Sequence, residues 1–465
     1  MAVRIFNQYV PLRMLMLAGI DFVLLLLAAL AGSLARYAGD IILLLNDYPY
    51  LLLQAWVFAF IMFLGLFSTG LYQARLQLRT IGYLIRIGVS LTLGTFFLAV
   101  LFYIAEPLYM GRGMLAAATG LAFFFLCGSR IIFIRAVGDD FFRRRVIVFG
   151  AGRRALELAD ARMRRDMGGI RILGFIEWPG GPTRVDPSKL IDVGGRRLVD
   201  VLAAHQVDEL VVAVDDRRRA LPMEQLLQCR LAGFRVVDIL PFMEREMGKV
   251  RINLLYPSWF IFSDGFSQGS VRRAARRTFD LVASIGLLVL ATPLILVAAA
   301  AIWLESRGPI LFRQLRVGRD GQAILLLKFR SMVPNAESIT GACWAEANDP
   351  RITRVGRVLR KFRIDELPQI FNVLKGEMSF VGPRPERPEF VDELGRKIPF
   401  YRERHSVKPG ITGWAQLRYP YGATEEDAME KLQYDLYYVK NQSLLFDFLI
   451  LLQTAEVVLW GRGVR

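Results

Sequence analysis

The sequence predicts a membrane protein of α plus α/β class. It reads as a four-helix transmembrane bundle, a Rossmann-like doubly wound domain, and a mainly helical domain that carries a re-entrant membrane hairpin. Three observations predict this. Four long apolar runs fill the first third of the chain. Short apolar strands and helical segments then alternate, opened by a G-x-G-x-x-A turn. A fifth apolar run, interrupted by proline, lies between two arginine clusters. These features set domains at 1–140, 141–246 and 272–465, with 247–271 as an irregular, aromatic linker.

The four runs are Met14–Leu34, Leu51–Leu71, Tyr83–Ala105 and Met114–Val137. Each matches the ~20 helical residues that cross a hydrocarbon core. Cations flank alternate loops: Arg4 and Arg13 before the first run, Arg75, Arg79 and Arg86 between the second and third, and Arg143, Arg144 and Arg145 after the fourth. Lys and Arg are retained on the cytoplasmic side, so both ends of the bundle are expected there. Asp21 lies inside the first run, and a helix-packing or near-interface role is expected for it rather than a functional one.

Of 465 residues, 54% are apolar, and the formal net charge is +16. Such a charge calls for an acidic partner: nucleic acid, anionic lipid or a phosphorylated substrate. The long apolar runs fit nucleic acid poorly. Cys127, Cys229 and Cys343 have no metal or redox spacing, and two histidines, His205 and His405, do not build a His-ligated metal site. The first run is too long for a cleavable signal peptide, and no small-residue cleavage site follows it.

In the second domain, Arg145–Phe149 is a short apolar strand, followed by Gly150, Gly152 and Ala155 and then a helix. Strand, glycine turn and helix form the context in which Gly150 and Gly152 seat a phosphate on a helix N-terminus. Glu177, at the next strand end, is placed to meet a ribose hydroxyl. The same alternation also fits a sheet without catalysis that acts as a spacer, a dimer contact or an effector sensor. No Tyr-x-x-x-Lys pair follows at dehydratase-like spacing.

The fifth run, Leu281–Trp303, is long enough to span. Yet Arg272, Arg273, Arg276 and Arg277 precede it, and Arg307, Arg313, Arg316 and Arg319 follow. Pro293 removes one helical hydrogen bond near the middle, and the Thr292 hydroxyl can re-satisfy the freed backbone. The expectation is a helix–break–helix hairpin over 281–303 that enters one leaflet and returns; the alternative is a kinked span.

Beyond it, Arg319, Asp320 and Gly321 mark a hairpin turn, and Lys328 and Arg330 alternate with apolar residues on a strand. Six cations (Arg351, Arg354, Arg357, Arg360, Lys361 and Arg363) then precede the paired acids Asp365 and Glu366. The apolar residues between them recur at helical spacing, which suits the anionic inner leaflet. Cations lower a neighbouring carboxylate's pKa. An ionised Asp365 is a candidate nucleophile towards phosphorus, and Glu366 a candidate Mg²⁺ ligand. Arg384, between two prolines, adds a phosphate-binding fork. A basic amphipathic helix with balancing acids fits the same run.

Six runs carry a specific resemblance: Lys328–Met332 (KFRSM), Asp365–Gln369 (DELPQ), Asn372–Gly376 (NVLKG), Val381–Pro385 (VGPRP), Lys408–Gln416 (KPGITGWAQ) and Tyr434–Tyr438 (YDLYY). Their order resembles bacterial sugar transferases, the monotopic polyprenyl-phosphate phosphoglycosyl transferases that begin exopolysaccharide and O-antigen assembly. The resemblance covers roughly Arg273 to the C-terminus, and the preceding domains resemble the long form of the family. It implies that the third domain is catalytic and that Asp365 attacks the sugar-linked phosphate of a UDP-sugar, releasing UMP. Undecaprenyl phosphate then takes the sugar phosphate from Asp365.

The resemblance implies Mg²⁺ on Glu366. It places Lys328, Arg360 and Arg384 near the phosphates, and Asp435 at the polar position of YDLYY. It also implies the bacterial inner membrane, a catalytic domain on the cytoplasmic face, downstream glycosyltransferases and a possible homodimer; no nucleic-acid partner is expected. One departure stands out. The common form continues Asn-Gly-Arg after Gln416, whereas this chain reads Leu417, Arg418, Tyr419. Arg418 is expected to replace the missing arginine. His405 is expected to be structural or surface-polar, and the helix Leu444–Trp460 interfacial or packing. A membrane-anchored nucleotide-sugar oxidoreductase and a non-catalytic nucleotide-sensing scaffold are the other readings. The residues do not name the sugar.

Overall fold

The computed structural model describes residues 2–5, 8–69, 71–72, 80–136, 144–163, 170–178, 181–215, 221–255, 257–263, 265–266, 269–333, 349–419, 422 and 424–459. Arg75, Arg79, Arg143 and Cys343 lie outside the described residues. The chain is mostly helical, with a parallel sheet and several long apolar helices, the build of a membrane protein. It divides into two compact units, Met1–Met247 and Gly248–Arg465.

In the first unit, four long helices form where the apolar runs predict them: Leu12–Arg36, Leu51–Ser68, Thr80–Ile104 and Arg112–Ala136. Leu25, Phe58, Met62, Leu98 and Ala118 meet in one buried core between them, while Ile42, Phe60, Phe97 and Phe124 face outward. A fifth, short helix, Ile41–Asp47, was not expected; Asp40 caps it by accepting from Leu43 N at 3.0 Å. Asp21 is buried and packs helices together, as expected. Arg130 Nη2 donates to its Oδ2 at 2.7 Å, Tyr72 Oη donates to the same oxygen at 2.7 Å, and Ser129 Oγ donates to Oδ1 at 3.3 Å.

The rest of this unit holds a four-stranded parallel sheet in the order Ile170–Ile176, Arg144–Phe149, Glu209–Val212, Arg235–Asp238. Its apolar side chains Ile147, Phe149, Leu210 and Val212 pack against Leu198, Val201, Leu202 and Leu226 from two helices. Near-continuous apolar strands are what a sheet covered on both faces requires.

The second unit contains the helix Ser270–Glu305, a hairpin of strands Leu311–Val317 and Ala323–Phe329, and a helical region that brings together Ser379–Val381 and Gly410–Thr412 as a parallel pair. The predicted turn at Arg319–Gly321 closes the hairpin, with Asp320 left-handed at φ +54°. The expected break at Pro293 does not divide the long helix in two: it is continuous from Ser270 to Glu305. Proline forfeits a single donor, and Thr292 Oγ1 donates back to Leu288 O at 2.6 Å, a bond that bends helices without ending them. The 247–271 segment is also more ordered than expected. It holds a turn at Ile252–Leu254 and a helix at Pro257–Phe262, with Ile252, Leu254 and Trp259 buried.

Candidate active site

The acid pair owes its position to a sharp reversal of the chain. Thr353 caps the helix Arg354–Lys361 by accepting from Gly356 N at 2.9 Å. The helix stops at Phe362, and Arg363 adopts a left-handed backbone at φ +55°, which is uncommon for a residue with a Cβ. A 3₁₀ turn, Ile364–Glu366, follows, and then the helix Gln369–Lys375. Asp365 and Glu366 therefore sit in a short turn between two helices, near the expected helix end.

Three cations converge on one of the two acids. Arg384 Nη2 donates to Glu366 Oε1 at 2.9 Å, and Lys328 Nζ and Arg363 Nη1 each stand 3.7 Å from that oxygen. Burial alone would raise the Glu366 pKa, but Arg384, Lys328 and Arg363 outweigh it and hold Glu366 at about 2. Asp365 behaves differently from expectation. Burial and the adjacent Glu366 charge push its pKa up from 3.8, with Lys328, Arg360 and Arg384 pulling back. The cations in direct contact stand on Glu366. Among the described residues, no hydrogen bond or ion pair reaches the Asp365 carboxylate. Lys328 has its own pKa lowered, by burial first and by Arg384 and Arg316 next.

Arg384 stands on a rigid base built from two of the sequence runs. Gly382 N donates to Thr412 O at 2.9 Å, and Gly410 N donates to Pro383 O at 3.0 Å. A Cβ on Gly410 would lie 2.1 Å from Gly382 N, so both positions need glycine for the backbones to touch. Beneath this base, Arg404 Nη2 donates to Arg384 O at 3.1 Å and pairs with Asp435 at 2.7 Å, and its Nη1 donates to Tyr401 Oη at 2.9 Å. Asp435 thus reaches the site through Arg404 and the backbone of Arg384. Burial raises the Asp435 pKa against the pull of Arg404.

Asp365, Glu366, Lys328 and Arg384 are therefore brought together, with Arg360 close enough to bias Asp365 electrostatically. Among the described residues, Arg360 Nη1 is buried without a hydrogen-bond partner. Arg418 stacks on Trp414 at 4.1 Å, and the Trp414 indole donates to Gly248 O. Arg330, expected beside Lys328, turns instead to Ser306 Oγ at 2.8 Å. His405 is buried rather than surface-polar, and burial with Arg404 and Arg402 lowers its pKa to about 3.

Gly150 and Gly152 lie in the other unit. There Asp215 accepts from Arg153 N at 2.8 Å and from Arg154 N at 2.9 Å. A protein carboxylate thus caps the helix end where a phosphate was expected. Glu177 accepts from the Thr183 hydroxyl.

Arg363, Arg404 and Tyr401 were missed as site residues. Arg363 stood in the basic run, but only its reversed backbone turns it towards Glu366. Arg404 and Tyr401 carry no signal beyond lying between two recognised runs. For a divalent cation, an ionised Glu366 beside Asp365 is a suitable donor set: Mg²⁺ takes one or two protein carboxylates and completes its shell with water and phosphate oxygens.

Residues 271–461 match the family described as bacterial sugar transferase. The chain is 43% identical over 272 residues to the UDP-N-acetylgalactosamine-undecaprenyl-phosphate N-acetylgalactosaminephosphotransferase of Aeromonas hydrophila, covering 58% of this chain and 63% of that protein. It is 44% identical over 188 residues to the UDP-glucose:undecaprenyl-phosphate glucose-1-phosphate transferase of Escherichia coli K12, covering 40% of each. A protein of the same name from Xanthomonas campestris is 33% identical over 343 residues, covering 70% of this chain and 68% of that protein. The chain thus spans less than two thirds of the Aeromonas and Escherichia proteins.

Proposed function

The chain belongs to the bacterial sugar transferase family, and we propose that it transfers a sugar-1-phosphate from a UDP-sugar to undecaprenyl phosphate. The single observation that carries this reading is the division of labour in the acid pair. Glu366 takes three cations, and Asp365 beside it keeps a carboxylate that no described side chain hydrogen-bonds or pairs with.

In this reading an Asp365 oxygen attacks the sugar-bearing phosphorus, the bond to the UMP oxygen breaks, and UMP leaves with the electron pair. Lys328, Arg360 and Arg384 neutralise the charge that gathers on the phosphate oxygens, the dominant demand of phosphoryl transfer. An oxygen of undecaprenyl phosphate then attacks the same phosphorus. The aspartyl–phosphorus bond breaks, giving undecaprenyl-diphosphate-sugar and restoring the carboxylate. Mg²⁺, held by Glu366, would supply further charge neutralisation at the diphosphate.

We place the second unit on the cytoplasmic face of the inner membrane and read Ser270–Glu305 as re-entrant. Two features support re-entry. The same unit grips both ends of that helix: Arg277 donates to Val373 O and Leu374 O at 2.6 Å, and Ala298 and Ile302 pack with Phe329 and Leu359. Between these grips, Val289, Leu290, Leu296 and Val297 are exposed. The four long helices are read as a transmembrane bundle and the parallel sheet as Rossmann-like. The nucleotide-sensing alternative is disfavoured by Asp215, which any anion at Gly150–Gly152 must displace.

The test is purified protein with Mg²⁺, undecaprenyl phosphate and a panel of UDP-sugars, scored for UMP. Lipid-dependent UMP release with at least one donor is expected; none with any donor contradicts the reading.

A further inference from the structure

A second basic cleft lies in the same unit, apart from Glu366. It has a volume of about 520 Å³ and is lined by Arg273, Arg277, Arg319 and Lys408, with Asp280 and Glu403 the acids facing it. Asp280 is already committed, accepting from Ser379 Oγ at 3.0 Å and from Phe380 N at 3.2 Å. Arg276, also on the wall, is committed to Asp447 at 2.7 Å. Lys408 is different. It is half-buried, and no described carboxylate pairs with it. Arg277 beside it spends its guanidinium on the neutral carbonyls of Val373 and Leu374. Burial first, then the charges of Arg277 and Arg319, lower the Lys408 pKa against the pull of Asp280, and Arg319 is itself paired with Asp320 at 3.1 Å. Such a cluster is costly unless an anion joins it.

The position of the cleft selects the anion. Phe260 and Phe266 form part of its wall. The helix that supplies Arg273 and Arg277 continues into the exposed apolar residues Val282, Ile285 and Val289. A ligand with a phosphate at one end and hydrocarbon at the other fits both surfaces, which is the design of interfacial lipid recognition. We infer that this cleft is a binding site for the phosphate of an anionic phospholipid headgroup, separate from the Asp365–Glu366 centre.

The test uses the full chain in detergent, with phosphatidylglycerol, phosphatidylcholine or inorganic phosphate added, and retained ligand read by native mass spectrometry. Phosphatidylglycerol should be retained over phosphatidylcholine. The double variant Lys408→Gln, Arg319→Gln should bind phosphatidylglycerol about thirtyfold more weakly, the combined effect of two interfacial cations. Lys408→Arg should bind as the parent does, which separates lost charge from lost fold. Undiminished phosphatidylglycerol binding by the double variant overturns the proposal. Displacement by inorganic phosphate at equal concentration overturns the assignment to lipid.

Discussion

Arg384 Nη2 stands 2.9 Å from Glu366 Oε1, whereas Asp365, one residue earlier in the chain, receives no ion pair from the described residues. Two adjacent carboxylates of nearly the same chemistry are thereby separated in character. One is locked into its charged form by contact; the other is held half-buried with its charge only partly offset. Environments that push neighbouring acids apart are how distinct roles are assigned to like groups.

The separation has a consequence for pH dependence. The Asp365 pKa is raised by burial and by Glu366, and in the proposed mechanism only its ionised form attacks phosphorus. The acid limb of kcat/KM should therefore lie above the ordinary aspartate value. Glu366→Gln removes one of the two raising causes, so in that slower variant the limb should move to lower pH. Profiles of UMP release for the wild type and for Glu366→Gln across the acid range check this.

Glu366 also affects stability. Its folded value of about 2 lies below its ordinary 4.5. The stabilisation is therefore complete above pH 4.5 and is lost as pH falls towards 2. By linkage it is on the order of 3 kcal/mol. Thermal unfolding of the wild type and of Glu366→Gln should differ most near neutrality, and the gap should close on acidification.

Asp435 and Arg404 form a buried pair at 2.7 Å whose work is to hold the Arg384 backbone. Asp435→Ala strands the Arg404 charge and should cost about 3–5 kcal/mol. Replacing both partners, Asp435→Leu with Arg404→Met, should recover most of that stability but not the activity, because Arg384 O then loses its donor. Melting temperature and kcat measured on the wild type and these two variants separate the two effects.

Gly410→Ala sets a Cβ 2.1 Å from Gly382 N, a backbone atom that no rotamer change can move. An overpacked backbone contact of this kind costs about 1–3 kcal/mol. Because the contact also seats Pro383 and Arg384, activity should fall by more than the loss of folded protein explains. Activity per folded molecule is the measurement.

How much of this was legible in the sequence follows from which forces are local. The apolar runs reveal the long helices because hydropathy is summed along contiguous residues. The acid pair stands out because six cations precede it without an acid between them. Pairings across the fold leave no such trace. Arg384 is 18 residues from Glu366, and Arg404 is 31 from Asp435. Each contact is made by tertiary packing, and for Arg384 the enabling signal was a glycine in each of two distant runs. The sequence predicts a lowered Asp365 pKa where burial and Glu366 raise it, because it counts cations without saying which oxygen they touch. It read Gly150–Gly152 as an anion seat because Asp215, which caps that seat, lies more than 60 residues further on. The helix Ile41–Asp47 was missed although Asp40 is a good N-cap, since seven residues are too few to show periodicity.

Intact-mass spectrometry of protein quenched after incubation with a proven UDP-sugar donor, before undecaprenyl phosphate is added, tests the central claim most directly. The wild type should carry one added sugar phosphate per chain, and Asp365→Asn, folded to the same extent, should carry none. A wild type that never gains that mass, or an Asp365→Asn variant that still releases UMP, would contradict the assignment of Asp365 as the nucleophile.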